Sequence, residues 1–228
     1  MFFPDRIKRI KSKFKVLEIG PGSSPHPRAD EFLEFRFCDL ETAIRQRGNV
    51  EKNPDFRERK VHYYDGGRFP FADNTFDYVI ASHVVEHTPD PQRFVAEMFR
   101  VGGGTGYIEF PLPPYEYLFD LDVHLSYVWF DHADQTLHFM KKPRQVLDEF
   151  STITGELRRG LELGWDDLIR NNLPFFIQGF EFSTPFEVRE ATSLNAYQQR
   201  WKNPGTGLAR RLVRKVEKLF PRNVRVDR

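Results

Sequence analysis

Cysteine is almost absent from this chain. Cys38 is the only cysteine among 228 residues, so no disulfide can form within the chain. Small secreted scaffolds depend on several disulfides because their cores are small. The composition therefore excludes that class and is compatible with a reducing compartment.

Long apolar runs are missing as well. A helix that crosses a bilayer needs about 18 or more consecutive apolar residues, and no segment of this chain approaches that length. Phe2 and Phe3 are followed by Pro4 and by charged residues, which is not the apolar centre of a secretory signal. We therefore expect a cytoplasmic protein.

Charge is nearly balanced, with a formal net charge of +1, but it is distributed unevenly. Residues 1–15 carry six Lys and Arg against one acidic residue, and residues 206–228 carry eight against two. The residues between them are acidic in balance. A nucleic-acid-binding face should run along the body that holds the site, so we expect no nucleic-acid partner. Basic ends instead favour peripheral contact with an anionic membrane, at its inner face.

The clearest motif joins a short apolar strand to a glycine-rich turn. Residues 15–19 form the predicted strand and include Glu18, and Gly20, Pro21 and Gly22 follow it. Glycine has no Cβ and tolerates positive φ, so such a turn lets a ligand approach the main chain. An ordinary surface turn uses the same residue types, so this motif alone does not decide between the two.

A second motif covers residues 65–87. In chain order it contains Asp65-Gly66, Phe69-Pro70-Phe71, Phe76 to Ser82 and Glu86-His87. Together the two motifs resemble the class I S-adenosylmethionine-dependent methyltransferases, in the methyltransferase type 11 branch. The resemblance spans about residues 14 to 111 and implies S-adenosylmethionine as the cofactor.

The resemblance and the alternation of strands and helices predict an α/β fold in one domain, residues 1–228. Its sheet should be doubly wound, Rossmann-like and mostly parallel. Three prolines in residues 21–27 predict a first crossover too short for a helix. We assign residues 14–111 to the cofactor-binding core and 112–205 to a substrate or lid region that also closes the sheet. Residues 206–228 should form a basic amphipathic C-terminal helix.

Apolar patterns predict the other elements. They are a basic helix over residues 1–13, strands over 31–38, 61–64 and 106–110, a helix beginning after Asp90, a hairpin of 127–130 with 136–140, helices over 143–150 and 161–171, and closing antiparallel strands over 175–182 and 186–190.

The resemblance also implies roles for residues at the strand ends. Glu18 would steer the methionine amino group, through water or the loop backbone, and Asp65 would accept a hydrogen bond from the adenine amino group. The implied cofactor contacts outside the second strand are Glu18, Gly20, Pro21, Gly22, Asp65, Gly66, Ser82 and His83.

Two carboxylates compete for the ribose. Ribose presents two vicinal hydroxyls, which one carboxylate at the end of the second strand can accept together. Asp39 fits the ordinary spacing of about 20 residues, whereas Glu34 fits if the missing helix shortens that spacing. We favour Glu34.

His83 and His87 are the candidate catalytic residues, because they follow the fourth strand where the transferred methyl group should lie. His83 is expected beside the cofactor and His87 as a base near neutral pH. The alternative is that Glu86 and His87 only brace the loop. The resemblance implies methyl transfer to an oxygen or nitrogen of a small molecule or glycan. A methyltransferase-like module that binds without catalysis is the alternative function.

Two other chemistries fit less well. Residues 83–87 match the His-x-x-Glu-His pattern of zinc peptidases, but the preceding strand and Pro89 argue against a helix that presents both histidines. We therefore expect no metal. A nicotinamide dehydrogenase would need a third glycine where Pro25 and His26 lie.

Aromatic residues are frequent after Pro111. Tyr127 and Trp129 lie in the predicted hairpin and would serve as a lid that stacks on a sugar or ring of the acceptor. The same region contains a group of His and Asp residues, namely His124, Asp131, His132 and His138. These are either part of that lid or solvated turn residues.

Overall fold

The computed structural model describes residues 1–46, 56, 58–143, 151–163 and 167–199. In this part of the chain the strands are β1 (Val16–Ile19), β2 (Glu31–Phe35), β3 (Lys60–Tyr64), β4 (Tyr78–Ser82), β5 (Gly106–Pro111), β6 (Ser126–Asp131), β7 (Thr136–Lys141), β8 (Ile177–Phe182) and β9 (Glu187–Glu190). The helices are α1 (Leu40–Gln46), α2 (Pro91–Gly102), α3 (Pro113–Phe119), α4 (Ser151–Glu162), α5 (Asp167–Asn171), α6 (Leu173–Phe176) and α7 (Asn195–Gln199). Short 3-10 turns occupy Pro4–Arg6 and Val85–His87.

The main sheet has the strand order β3-β2-β1-β4-β5-β8. Strands β1 to β5 are parallel, and β8 runs antiparallel to β5. The order reverses between β1 and β4, which is the place where open α/β sheets bind ligands. The predicted doubly wound, mostly parallel sheet is therefore confirmed.

The connection between β1 and β2 contains no helix. β1 ends at Ile19 and β2 begins at Glu31. The main-chain N–H of Gly20 donates to the carbonyl of Leu33 over 2.9 Å, which keeps the chain close to β2 as it leaves β1. The predicted short first crossover is confirmed, and β2 ends at Phe35 rather than at residue 38.

Strand β4 lies at the centre of the main sheet, and Tyr78 to Ala81 are fully buried. Helix α2 follows and begins as predicted, because Asp90 accepts a hydrogen bond from the Arg93 N–H over 2.9 Å and Pro91 fits the first turn. The helix ends at Gly103 in the left-handed conformation, with φ of 57°. Local signals therefore position the segment that follows β4.

A second sheet of order β6-β7-β9 contains the predicted hairpin of β6 and β7. Strand β9 pairs in parallel with β7, so the prediction that residues 186–190 close the main sheet is wrong. The ring of Phe186 packs against Phe99 and Phe130, with ring centroids 4.9 and 5.3 Å apart. These contacts direct the chain to the second sheet once β8 ends.

The predicted helix over residues 1–13 is also wrong, since only Pro4–Arg6 forms a helical turn. The main chain is held in an open conformation because carboxylates bind its N–H groups. Glu181 Oε1 accepts from Lys8 and Arg9 over 2.9 Å each. Ile7 and Ile10 pack on the core, so their apolar pattern reports burial rather than helix.

Helix α4 begins earlier than the predicted helix over residues 161–171, and α5 covers the end of that range. Gly155 and Gly160 lie inside α4. Because glycine destabilises a helix by about 1 kcal/mol relative to alanine, the sequence did not indicate a helix here. Residues 144–150 and 206–228, where two further helices were predicted, lie outside the described residues.

The chain divides into two compact units, Met1–Ala191 and Thr192–Arg228. The second unit contributes α7 to the described part of the chain. None of the described helices combines the length and apolarity that crossing a bilayer requires. Membrane contact through the basic ends stays a prediction.

Candidate functional site

A cavity of about 1450 Å³ lies at the carboxyl ends of β1 to β4. Each of these strands contributes to its wall, through Gly20, Phe35, Asp65 and Ser82 in chain order. Ligand pockets usually measure about 300–1,000 Å³. The cavity is therefore large enough for two ligands side by side.

The glycine-rich turn forms one wall of this cavity. Gly20 and Gly22 both have φ of 58°, in the left-handed region that favours glycine. A Cβ on Gly20 would lie 2.8 Å from Cγ2 of Val84, whereas a Cβ on Gly22 would meet no atom within 4 Å. Gly20 therefore allows the turn to pack against the segment after β4, and Gly22 leaves main chain facing open space. Pro21 is buried between them and also lines the cavity.

Glu18 is buried at the end of β1 and holds the turn together. Its Oε2 accepts a hydrogen bond from the His26 N–H over 2.7 Å. Burial disfavours its charge and raises the pKa of Glu18 to about 7. The sequence did not indicate this contact with His26, which closes the loop across the missing helix.

In the natural protein we expect the free energy of unfolding to fall as the pH rises through the pKa of Glu18. Glu18→Gln should abolish this fall. The pKa of Glu18 is about 7 in the folded protein against 4.5 for the free side chain, so the folded protein holds the extra proton between these values. Stability is then full below pH 4.5 and declines up to about pH 7, by on the order of 2 kcal/mol. The measurement is the free energy of unfolding by urea at pH 5 and pH 8.

The control for this variant is Glu190→Gln, which removes an exposed carboxylate of β9. It should keep the pH dependence of the natural protein. An unchanged pH dependence in Glu18→Gln would show that burial of Glu18 does not shift its titration.

The two carboxylates that compete for the ribose lie in different places. Glu34 is buried in β2 and lines the cavity. Asp39 is exposed, does not line the cavity, and accepts the Thr42 N–H at Oδ1 over 2.7 Å, as the cap of α1. The structure thus brings Glu34, and not Asp39, to the cavity.

Asp65 and Gly66 line the same cavity at the end of β3. Oδ1 of Asp65 accepts the Gly67 N–H over 3.3 Å, and Gly66 has φ of 89°. The ring of Phe35 lies beside them, 5.6 Å from that of Tyr64, and remains 39% exposed. Phe35 was not among the predicted site residues, although it directly follows Glu34 in the second strand.

His83 follows β4 in the left-handed conformation, with φ of 58°. Its Nε2 lies 3.1 Å from Glu109 Oε1, and its Nδ1 lies 3.5 Å from Glu86 Oε1. Burial disfavours the charged ring, but the two carboxylates outweigh this and raise the pKa of His83 to about 9. His83 is therefore a cation at neutral pH and does not serve as a base there.

Glu109 organises this wall of the cavity. It is fully buried, and its oxygens accept hydrogen bonds from Ser82 Oγ over 2.9 Å and Tyr107 Oη over 2.6 Å. Burial opposes ionisation, yet His83, Tyr107 and the Phe2 N–H lower the pKa of Glu109 to about 2. Glu109 is thus a fixed anion that orients Ser82 and His83.

The N-terminal residues cover this wall. The N–H groups of Phe2 and Phe3 donate to the two oxygens of Glu109, over 2.7 and 3.0 Å. The Phe2 ring meets the His83 ring edge to face at 5.3 Å, and Met1 and Phe2 line the cavity. The contacts join residues more than 100 positions apart, so no local pattern indicated them.

His87 lies in the 3-10 turn after β4 and lines the cavity. Its Nδ1 lies 2.9 Å from Gln46 Oε1. Burial and the nearby His124 lower the pKa of His87 to about 4, so the ring is neutral at pH 7. Of the two predicted catalytic histidines, only His87 is neutral at pH 7, but a pKa of about 4 makes it a weaker base than the base near neutral pH that the sequence predicted.

The structure places the predicted lid residues elsewhere. Tyr127 and Trp129 are buried in β6, each 1% exposed, and neither lines the cavity. Tyr127 stacks on Tyr117 at 5.4 Å, and Trp129 stacks at 5.3 Å on His138, which lies opposite it in β7. Of the His and Asp group in this region, His124 lines the cavity.

Many apolar side chains also line the cavity. Its wall includes Leu40, Ile44, Tyr115, Leu121, Val123 and Leu161, with Arg45, Asp122, His124 and Arg158 among them. The guanidinium of Arg45 pairs with the carboxylate of Asp122. The cavity lining thus combines polar groups at the strand ends with apolar side chains from α1, α3 and α4.

Comparisons with known proteins find similarity over part of the chain. A family model described as a methyltransferase domain matches residues 17–110. Sterol 24-C-methyltransferase erg6 of Schizosaccharomyces pombe is 35% identical over 111 residues, which cover 44% of this chain and 29% of the relative. Demethylmenaquinone methyltransferase of Renibacterium salmoninarum is 32% identical over 106 residues, 44% of this chain and 43% of the relative.

A third relative, phosphatidylethanolamine N-methyltransferase of Cereibacter sphaeroides, is 32% identical over 93 residues, 38% of this chain and 44% of the relative. The chain spans less than half the length of these curated relatives. Among solved structures, the PH0226 protein of Pyrococcus horikoshii OT3 has 21% identity and a TM-score of 0.36, over 59% of this chain and 65% of that chain.

Proposed function

We propose that this chain, which carries a class I S-adenosylmethionine-dependent methyltransferase domain over residues 17–110, transfers a methyl group to an oxygen or nitrogen of a small-molecule acceptor. One observation carries the proposal. A single cavity at the switch point of the sheet is lined by the glycine turn, by Glu34 and by Asp65, which belong to the ends of three neighbouring strands.

The residues of this cavity fit an adenosyl ligand. Main chain at Gly22 faces open space in which a Cβ would meet no atom. Glu34 would accept the two ribose hydroxyls, and Asp65 and the Gly66 backbone would contact the adenine, with Phe35 as an apolar wall. Glu18 would act on the methionine part through the loop that it holds. When bound, the cofactor supplies an electrophilic methyl group on its sulfonium.

The size and polarity of the cavity support an acceptor with an extended apolar part. The volume of about 1450 Å³ exceeds that of a common single-ligand pocket. Leu40, Ile44 and Leu161 are among the residues that line the cavity. Three relatives are named for a sterol, a demethylmenaquinone and a phosphatidylethanolamine. We therefore place a hydrophobic small molecule before a glycan as the acceptor.

Positioning supplies most of the rate in such a transfer, since the methyl donor is already activated. An acceptor that holds a proton needs a group to take it, and His87 stays the predicted acceptor of that proton. His83 would act differently, as a fixed cation between Glu86 and Glu109 that shapes the wall beside the methyl group.

Isothermal titration tests the cofactor. We expect S-adenosylmethionine and S-adenosylhomocysteine to bind and NAD not to bind. Gly22→Leu should abolish this binding, because its side chain would enter the cavity from a backbone position that already disfavours a side chain. Gly155→Ala, at a helical position with open space around it, should bind as the natural protein does.

Release of S-adenosylhomocysteine tests catalysis. The acceptors are a quinol, a sterol and a phospholipid in detergent micelles, together with a sugar. We expect turnover with at least one of the hydrophobic compounds. Failure to bind S-adenosylmethionine would overturn the proposal, and binding without turnover across the panel would favour the non-catalytic module.

A further inference from the structure

Three side chains with metal-ligand chemistry meet at the inner wall of the cavity. Glu86, His87 and His124 each offer one ligand atom, and these atoms lie within 4.8 Å of one another. Glu86 and His87 belong to the 3-10 turn after β4, and His124 to the loop between α3 and β6. No local pattern connects them, because 37 positions separate the two histidines.

Main-chain hydrogen bonds hold the two segments together. The Leu125 N–H donates to the Glu86 carbonyl over 2.7 Å, directly beside His124. The His124 N–H donates to the Leu121 carbonyl over 3.1 Å. The rings of His87 and His124 meet edge to face at 4.5 Å. The juxtaposition is therefore part of the fold.

Each imidazole is oriented by an acceptor at Nδ1. His87 Nδ1 lies 2.9 Å from Gln46 Oε1, and His124 Nδ1 lies 2.5 Å from Glu116 Oε1. Both partners are acceptors, so Nδ1 of each ring carries the proton and Nε2 keeps its lone pair. Metal-binding histidines are held in this way by carboxylates and carbonyl oxygens. Within the described residues, no hydrogen bond engages Nε2 of either ring.

Glu86 supplies the negative charge of the cluster that it forms with His87 and His124. Its side chain is 0% exposed, and neither carboxylate oxygen accepts a hydrogen bond from the described residues. His83 Nδ1 lies 3.5 Å from Oε1, beyond a good hydrogen bond, while its Nε2 binds Glu109. A buried carboxylate with so few partners costs several kcal/mol. His83 gives Glu86 an ion pair at 3.5 Å, and a metal ion bound directly to the carboxylate oxygens would complete the compensation of its charge.

The neighbouring carboxylate, Glu116, differs from Glu86 in that both of its oxygens have hydrogen-bond partners. It is equally buried, but its Oε1 accepts from His124 and its Oε2 accepts from Lys142 Nζ over 3.0 Å. Glu116 is thus occupied in orienting a ligand and does not compete with Glu86. The ligand atoms and the groups that orient them are separate sets of residues, as in known metal sites.

We propose that Glu86, His87 and His124 bind one divalent transition-metal ion, with Zn²⁺ as the best match to two imidazoles and one carboxylate. Zinc takes this donor set and keeps further positions open for water or a substrate oxygen. Ligand bonds of about 2.1 Å require the three donor atoms to move closer together. His87 and His124 line the cavity, so the open positions face it.

A metal ion at this site would also affect methyl transfer, an inference that rests on the proposed function. A metal ion lowers the pKa of an oxygen bound to it, so an acceptor hydroxyl in an open position would lose its proton more readily. His87 would then act as a ligand and not as the proton acceptor, and the proton released from the metal-bound hydroxyl would pass to solvent water in the open cavity.

Titration of the full chain with Zn²⁺, after treatment with a chelator and without S-adenosylmethionine, tests the site. We expect one ion per chain by calorimetry, and visible absorption bands of a bound ion when Co²⁺ replaces Zn²⁺. Glu86→Gln keeps the shape of the side chain and should weaken binding at least about 100-fold, and Gln46→Ala, which removes an orienting partner, by about 10- to 100-fold.

His62→Gln is the matched control, because His62 pairs with Glu31 over 2.6 Å away from the cavity. It should bind Zn²⁺ as the natural protein does. Thermal unfolding checks the fold: Zn²⁺ should raise the melting temperature of the natural protein and of His62→Gln, but not that of Glu86→Gln.

Two results would overturn the metal site. One is absence of binding at millimolar Zn²⁺, and the other is equal affinity and equal Co²⁺ spectra in the natural protein and Glu86→Gln. The proposed function fails separately, since a chain that binds Zn²⁺ but no S-adenosylmethionine retains the metal site and loses the methyltransferase proposal.

Discussion

Gly106→Ala is expected to prevent the native sheet from forming. Gly106 begins β5, and a Cβ at this position would lie 2.3 Å from the carbonyl oxygen of Val79 and 2.9 Å from Cζ of Phe182. Val79 belongs to the central strand β4, so its carbonyl cannot move without breaking the pairing of β4 with β5. We expect a loss of more than about 4 kcal/mol, a large part of the 5–15 kcal/mol that stabilises a typical domain.

The measurement is the free energy of unfolding by urea, followed by circular dichroism. Gly155→Ala is the matched control, since Gly155 lies in α4 and an added Cβ would meet no atom within 4 Å. Alanine there should stabilise the protein by about 0.5–1 kcal/mol. A small loss in Gly106→Ala, similar in size to an exposed substitution, would show that the strands around Gly106 can separate at little cost.

The sequence predicted the elements whose causes are local. Strand β4 is apolar from Tyr78 to Ala81 and is bounded by turn residues, and α2 has a cap at Asp90 with Pro91 in its first turn. Prolines between β1 and β2 excluded a helix there. Such features depend on residues that are neighbours in the chain, so they can be predicted from the sequence.

The errors have a common physical cause, which is tertiary contact. Residues 1–13 have the spacing of a helix, but Glu109 and Glu181 bind their N–H groups. Residues 186–190 have the pattern of a closing strand, but the ring of Phe186 directs the chain to the second sheet. Contacts between distant residues override propensity, and a single sequence does not reveal them.

The residues of the candidate site also divide into those that the sequence predicts and those that depend on tertiary contacts. The glycine turn, Glu34 and Asp65 follow strands of one parallel sheet, so their common edge could be inferred from topology. The meeting of His124 with Glu86 could not, because it depends on how the loop after α3 packs on the turn after β4. Tyr127 and Trp129 show the reverse case, in which aromatic composition indicated a lid but β6 buries both side chains.

Glu34→Ala should reduce the affinity for S-adenosylmethionine by about 100-fold. Under the proposed function, the Glu34 carboxylate accepts both ribose hydroxyls, and a hydrogen bond to a charged group contributes about 1.5–3 kcal/mol. Loss of the pair costs on the order of 3 kcal/mol, which corresponds to this factor. Calorimetric titration gives the affinity, and thermal unfolding without ligand shows whether the variant is folded.

Asp39→Ala is the matched control, because it removes the competing carboxylate without touching the cavity. Its affinity should be unchanged, while stability falls by about 1 kcal/mol because the cap of α1 at Thr42 is lost. Glu34→Gln, which retains one acceptor oxygen of the same reach, should lie between Glu34→Ala and the natural protein. If Asp39→Ala loses affinity and Glu34→Ala keeps it, the ribose lies at the start of α1, and the cavity at the strand ends binds something other than an adenosyl group.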